Sequence, residues 1–209
     1  WTYETEGAIH SSPAVVDGVV YFGSRDSHIY ALNAETGEEI WKFKTGSWVE
    51  SSPIIAGGVL YCGSNDGHVY AVNVETGEEI WRFDAKYPVR STPAIANGKV
   101  YFGADDWSVY AVNIDDGTQA WNFDTDNIML SSPLVVDGVV AIGGADGFFY
   151  CINAENGGKR LKFEGKSMVV TSPVEKDGTV YFVNSGGFIY AIDPTAKNWW
   201  GENTLKKYW

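Results

Sequence analysis

The sequence predicts an all-β fold, a β-propeller built from four-stranded antiparallel blades. Three observations predict it. Ser-Ser-Pro or a close variant recurs at Ser11-Ser12-Pro13, Ser51-Ser52-Pro53, Ser91-Thr92-Pro93, Ser131-Ser132-Pro133 and Thr171-Ser172-Pro173, always 40 residues apart. Each 40-residue unit carries four short apolar or alternating runs separated by turn signals. Glycine is abundant (24 residues) and aromatics reach 15%, which suits many tight turns between strands and argues against a helix bundle. Four strands per 40 residues is the period of a propeller blade. A β-helix needs a shorter rung, and a helical repeat would show a period near 3.6.

The unit from residue 11 to 50 shows the elements in order. Pro13 to Val16 is an apolar run closed by Asp17-Gly18, a hairpin signal. Val19 to Gly23 is rich in β-branched and aromatic residues and stops at Arg25-Asp26-Ser27. Ile29 to Asn33 is a third run, closed by Glu35-Thr36-Gly37. Ile40 to Lys44 alternates, with Trp41 and Phe43 on one face and Lys42 and Lys44 on the other. Tyr30, Tyr70, Tyr110, Tyr150 and Tyr190 keep the 40-residue step, as do Trp1, Trp41, Trp81 and Trp121.

The ends fix the expected domain. Residues 1–5 match a fourth strand with no blade before them, and residues 171–193 supply three strands of a last blade before Asp193-Pro194 breaks the register. The expectation is one propeller over residues 1–195 with repeats starting near 11, 51, 91, 131 and 171. It has five blades, with residues 1–5 completing the last in a velcro closure that removes open edges. A slice of a larger ring is the competing reading. Residues 196–209 form a C-terminal tail that either supplies a rival fourth strand or packs outside.

Composition excludes several partners. Acidic residues outnumber basic ones 27 to 15, giving a net charge of -12. This disfavours nucleic acid and anionic membrane surfaces, which select basic proteins. No apolar run approaches the ~18 residues of a membrane helix, so no direct membrane insertion is expected. Two cysteines, Cys62 and Cys151, cannot make a disulfide framework. The chain begins at Trp1 without a charged n-region or apolar h-region, so these residues do not reveal the compartment.

The segment Ala31-Leu32-Asn33-Ala34-Glu35-Thr36-Gly37-Glu38-Glu39-Ile40-Trp41, repeated at Ala71 to Trp81 and Ala111 to Trp121, resembles the tryptophan-docking motif of pyrroloquinoline-quinone-like propeller repeats. The resemblance covers residues 1 to about 193. It implies that Trp1, Trp41, Trp81 and Trp121 are girdle residues, each indole docking on the glycine turn of a neighbouring blade. Leu161 replaces Trp in the fourth unit. The resemblance also implies that non-enzymatic members work outside the cytoplasm: periplasmic, cell-surface or secreted. Enzymatic relatives have eight blades, a calcium held by acidic and amide side chains, and adjacent cysteines over a quinone. This chain has no vicinal cysteine pair and no Cys-x-x-Cys-His haem motif. No cofactor and no metal are therefore expected.

Repeating residues are poor catalysts. His28 and His68 hold the same register, which points to packing or solvation rather than a unique catalytic or metal role. Asp26, Asp66, Asp106 and Asp146 recur between the second and third strands, where Asp is favoured for bonding its own backbone. The acids Glu35, Glu38, Glu39, Glu75, Glu78, Glu79, Asp115, Asp116 and Glu155 make one face acidic, a solvated face. No nucleophile elbow, Walker loop or His-Glu-x-x-His is present. The expectation is no catalysis.

The informative positions are those where the repeat fails to repeat. His10, Glu50 and Arg90 stand just before successive Ser-Ser/Thr-Pro motifs, with Leu130 and Val170 in the last two. Arg25, Trp48 and Trp107 vary on the same expected face, formed by strand 4-to-1 and strand 2-to-3 loops. The tentative ligand-binding set is Trp48, Trp107, Arg90, Glu50, His10 and Arg25. Exposed Trp and Arg are the residues that most often carry interface energy. The function expected is a recognition or scaffold propeller binding a protein or small ligand there. A glycan-binding propeller is the alternative, with Trp48, Tyr87 and Trp107 stacking on sugars. A quinone-dependent enzyme is less favoured.

Overall fold

The computed structural model describes residues 1–196, and the tail expected over 196–209 lies outside them from residue 197 on. All nineteen described elements are β-strands, in four sheets of four strands and one of three. The chain divides into two compact units, residues 1–93 with 113–118, and residues 94–112 with 119 onward.

The first unit holds two complete blades. One is β1 (Ala14–Val16), β2 (Val19–Ser24), β3 (His28–Asn33) and β4 (Glu39–Lys44). The next is β5 (Ile54–Ala56), β6 (Val59–Gly63), β7 (His68–Asn73) and β8 (Glu79–Asp84). The second unit carries β9 (Ala94–Ala96), β10 (Lys99–Gly103), β11 (Ser108–Asn113) and β12 (Gln119–Asp124). It continues with β13 (Leu134–Val136), β14 (Val139–Gly143), β15 (Phe148–Asn153) and β16 (Lys159–Glu164), then β17 (Val174–Lys176), β18 (Thr179–Val183) and β19 (Ile189–Ile192). Each sheet is an antiparallel meander in chain order, the build of a propeller blade. Within the units, first strands of consecutive blades neighbour one another: β1 with β5, β9 with β13, and β13 with β17.

Local chemistry explains these elements. Asp17 and Gly18 both take positive φ (49° and 77°), the conformation of a two-residue type I′ turn between β1 and β2. In β4 the pairing slips between Ala31 and Leu32, so that Trp41 faces Ala31 and Glu39 faces Leu32. Ile40 is the bulged residue, half exposed, while Trp41 turns into the core. The same slip recurs in β8, β12 and β16.

The Ser-Ser-Pro repeat is a latch. The buried Ser11 hydroxyl accepts from Gly23 N–H (2.8 Å) and donates to Gly23 C=O (2.9 Å), tying the entry of β1 to the end of β2. The second serine links blades: Ser12 N–H donates to Ser52 Oγ (2.8 Å), and Ser132 N–H to Ser172 Oγ (3.2 Å). Gly63 must be glycine because a Cβ there would lie 2.5 Å from the Val89 carbonyl oxygen.

Residues 1–5, expected to complete the last blade, carry no assigned strand, and among the described residues the β17–β18–β19 sheet holds three strands. Trp1 and Tyr3 dock on the first blade. Trp1 Nε1 donates to Ala34 C=O (3.1 Å), and the Tyr3 ring packs edge-on against Tyr30 (5.6 Å) and Phe22 (6.5 Å). They occupy the place that Trp41 and Phe43 take against the next blade, where Trp41 Nε1 donates to Val74 C=O (2.8 Å) and Phe43 packs on Tyr70 (5.2 Å).

Candidate recognition site

Two loop types meet on one face of the first unit. The β6–β7 turn is stapled to the loop before it: Asn65 N–H donates to Trp48 C=O (2.8 Å). In the first blade Arg25 N–H donates to Ala8 C=O (2.9 Å) in the same way. The second unit repeats the staple from Ala145 to Ile128 (3.1 Å) and from Ser185 to Met168 (2.9 Å). Strand 2-to-3 turns and strand 4-to-1 loops are thus held together by backbone, on rigid strands.

Below each of the two turns of the first unit lies a carboxylate latch. Asp66 Oδ2 accepts from Tyr70 OH (2.8 Å) and Gly46 N–H (2.6 Å), while its Oδ1 accepts from His68 N–H (3.0 Å). Asp26 does the same for Tyr30 OH (2.8 Å), Glu6 N–H (3.2 Å) and His28 N–H (3.1 Å). Burial first, then these carboxylates, push the Tyr30 and Tyr70 hydroxyls well above the usual tyrosine range. Each Asp bonds the backbone two residues on, as turn chemistry requires, and also ties down the previous loop. His28 and His68 join the latch through Nδ1, at 3.3 and 3.2 Å from Asp26 and Asp66 Oδ1.

On this platform stands a cluster of four of the six candidate binding residues. Glu50 Oε1 accepts from Arg25 Nε (2.8 Å) and from Arg25 Nη2. Its Oε2 accepts from Asn65 Nδ2 (3.3 Å) and lies 3.7 Å from Arg90 Nε. The Arg25 guanidinium sits over the Trp48 indole, 4.8 Å from the ring centroid, a cation–π geometry. Burial alone would raise the Glu50 carboxyl; hydrogen bonds from Arg25 and Asn65 and the two guanidinium charges outweigh it and hold the group below the usual carboxylate range. A depressed folded-state value means that Glu50 contributes stability above its unfolded value, and that this is lost as pH falls through the folded one. We expect Glu50→Gln to flatten the loss of stability between about pH 5 and pH 3, around the ordinary Glu value. Parallel acid titrations of the unfolding midpoint that superimpose for both proteins would contradict it.

The other two candidates are exposed. His10 is exposed at the register position of Glu50 and Arg90. Trp107 belongs to the second unit, 53% exposed, with φ +70° where Gly67 and Gly147 take +91° and +85°. A left-handed backbone costs an L-residue about 1–2 kcal/mol, so the fold carries this tryptophan at some expense. Its carbonyl accepts from Thr125 N–H (2.7 Å) and Oγ1 (2.6 Å), which fix the turn. Asn65 is the residue that sequence reasoning missed. Its register holds a different residue in every blade, Arg25, Asn65, Asp105, Ala145 and Ser185, so nothing in the sequence singles it out.

A groove of about 440 Å³ in the first unit lies elsewhere, lined by Val16, Tyr21, Ile40, Ile55, Val74 and Glu75. It recurs one blade on, around Tyr61, Ile80, Trp81 and Ile114 (about 310 Å³). It is the seam between consecutive blades and repeats with them.

Three of the repeating tryptophans lie against glycine turns. Trp41, Trp81 and Trp121 are buried and donate from Nε1 to Val74, Ile114 and Ala154 C=O at 2.8, 2.9 and 3.1 Å. Each indole covers a glycine with φ near +70°, Gly77, Gly117 and Gly157.

The adjacent cysteines that the resemblance sets over a quinone have no counterpart here. Cys62 and Cys151 are both buried inside strands, and burial pushes their thiols up to about 12. Among the described residues no group of three His, Cys, Asp or Glu side chains is placed to hold a metal ion.

The chain matches the family model described as "Outer membrane protein assembly factor BamB" over residues 1–86, 64–147 and 127–205. A search of curated proteins returns no match. Among solved structures it is similar to BamB from Moraxella catarrhalis (TM-score 0.82, 19% identity), covering 99% of this chain and 68% of that one. It is also similar to the computationally designed Ika8 protein (0.80, 19%, covering 93% and 63%). A third is the quinohemoprotein alcohol dehydrogenase from Comamonas testosteroni (0.75, 14%, covering 95% and 43%). At these identities the structural likeness establishes the β-propeller fold and nothing finer. The three overlapping sequence matches span nearly the whole chain, and the chain belongs to the propeller-repeat family described as outer membrane protein assembly factor BamB.

Proposed function

We propose that this chain is a non-enzymatic recognition and scaffold module that binds a protein partner on the face of its strand 4-to-1 and strand 2-to-3 loops. The observation that carries the reading is the Arg25–Glu50–Arg90 cluster beside Trp48, which forms where the repeat breaks. A repeating scaffold specifies little, and a charged aromatic cluster on rigid loops can specify one partner. The family description, an outer membrane assembly factor, supports protein partners and an extracytoplasmic setting. The glycan alternative is weaker, because one face of the Trp48 indole is covered by Arg25 rather than open to a sugar ring.

The test is titration of purified variants against a partner identified by photo-crosslinking from position 48. Alanine at Trp48, Arg90 or Trp107 should weaken binding at least tenfold with a nearly unchanged melting temperature, as hot-spot truncations do. Alanine at Glu35, Glu75 or Glu155 should leave binding intact. Binding lost through the acidic turns, with the tryptophan variants unaffected, would place the site on the opposite face.

A further inference from the structure

We propose that the two adjoining blade seams of the first unit, at its acidic turns, dock a basic segment of a polypeptide through apolar side chains. This is a second surface, and it does not rest on the loop-face reading above.

The two grooves are continuous. Ala56 and Gly57 line both, the first groove running past Tyr21, Ile40 and Val74 and the second past Tyr61, Ile80 and Ile114. Ile40 and Ile80 are the bulged residues of their strands, each 48% exposed, so both grooves present apolar surface to solvent.

Each groove also carries an unpaired donor. Tyr21 and Tyr61 are 3% and 2% exposed, and their hydroxyls make no hydrogen bond among the described residues. Neither oxygen is sealed from solvent, so each is open to the groove that its ring lines. At the same register in the second unit, Tyr101 OH donates to Ala154 C=O (3.0 Å). A donor without an acceptor is costly where water is scarce, and the backbone carbonyl of a docked peptide is an acceptor of the right kind. Burial, then the charge of Asp17 or Asp115, raises the two hydroxyls above the usual tyrosine range, so they stay protonated donors at neutral pH.

Charge sets the sign of the ligand. Asp17 and Glu75 line the first groove and Asp115 the second, all three exposed and none in an ion pair among the described residues. Glu39 and Glu79, next in sequence to the two isoleucines, already have Lys42 and Arg82 at 3.8 Å. The corresponding groove of the second unit differs: Lys99 and Arg160 line it together with Glu155, and Ala120 stands at the isoleucine register. Apolar side chains for the grooves, carbonyls for the tyrosines and Lys or Arg for the acids describe a basic amphipathic peptide. A protein of net charge -12 also attracts such a segment at long range.

The experiment is fluorescence anisotropy on the intact chain with three labelled nonapeptides, repeats of Lys-Leu-Ser, Gln-Leu-Ser and Lys-Ser-Ser. We expect the Lys-Leu-Ser peptide to bind at least tenfold tighter than the other two, which lack the charge or the apolar anchor, and more weakly as salt rises. Ile40→Gln or Ile80→Gln should weaken it at least fivefold, and Asp17→Asn combined with Glu75→Gln at least threefold. Tyr21→Phe should weaken it about threefold without lowering the unfolding midpoint, since no bond within the protein is lost. Lys99→Gln in the second unit's groove and Trp48→Ala on the loop face should leave it unchanged. Binding of either other peptide as tightly as Lys-Leu-Ser would overturn the ligand class. Binding indifferent to both isoleucines, or lost with Trp48→Ala, would overturn the site, and no binding of the Lys-Leu-Ser peptide would overturn the inference outright. The loop-face reading is decided separately, by Trp48, Arg90 and Trp107.

Discussion

Trp81→Ala is expected to destabilise the protein by about 3–5 kcal/mol, the usual cost of emptying a large aromatic site. The indole is 8% exposed, donates to Ile114 C=O (2.9 Å) and stacks obliquely on Tyr61 (5.7 Å between centroids). It also lies so close to Gly117 that a Cβ there would come within 2.6 Å of the ring. Gly117 has φ +69°, so Gly117→Ala costs about 1–2 kcal/mol for backbone conformation alone, plus displacement of the indole. In the Trp81→Ala background only the backbone cost remains. The double-mutant cycle should therefore show a coupling of at least about 1 kcal/mol. Trp48→Ala, removing a half-exposed ring, should cost under about 1 kcal/mol. Urea unfolding of the parent and the four variants measures all of this. Equal costs at Trp81 and Trp48, or strict additivity with Gly117, would break the docking account.

Much of this architecture is legible in the sequence because the repeat is exact in length. Strand bounds follow from turn chemistry at Asp17-Gly18, and the inward face of β4 follows from Trp41 and Phe43, to within a residue or so. The bulge at Ile40 is not legible, since alternation alone places Ile40 and Trp41 on opposite faces without saying that pairing skips one of them. Residues 1–5 have the composition of a fourth strand, and the 40-residue step puts Trp1 in register with Trp41. In the structure Trp1 and Tyr3 are held by side-chain docking on the first blade. At the candidate site, the approach of Glu50 and Arg90 was legible from their places before successive first strands. Arg25 over Trp48 was not, because it depends on how a turn folds back onto the preceding loop. Asn65 was invisible for the same reason.

Asp66→Ala is expected to cost about 3 kcal/mol, although the residue sits in a turn and its register resembles a ring of solvated acids. Three donors lose their acceptor at once: the Tyr70 hydroxyl, Gly46 N–H and His68 N–H. Tyr70 is 4% exposed, so its hydroxyl has little water to turn to. Leaving a buried donor unpaired costs about 1–3 kcal/mol, and three partly buried ones reach the stated sum. Tyr70→Phe removes one of these bonds and leaves the backbone donors satisfied, so it should cost about 1 kcal/mol. Asp66→Asn can still accept from His68 N–H, but its amide would face Gly46 N–H donor to donor, which places it between the two, at about 2 kcal/mol. Glu75→Gln, exposed in an acidic turn, should stay within about 0.5 kcal/mol. A cation site would behave differently, because calcium binding only the native state would raise the unfolding midpoint by mass action. Both Asp66 oxygens are already occupied, so millimolar calcium should leave the midpoint where it was. Chemical denaturation of the four variants, with and without calcium, decides between latch and ion site. An Asp66→Ala protein as stable as the parent, or a calcium-dependent midpoint abolished by that substitution, would show that the carboxylate does something other than hold the loop.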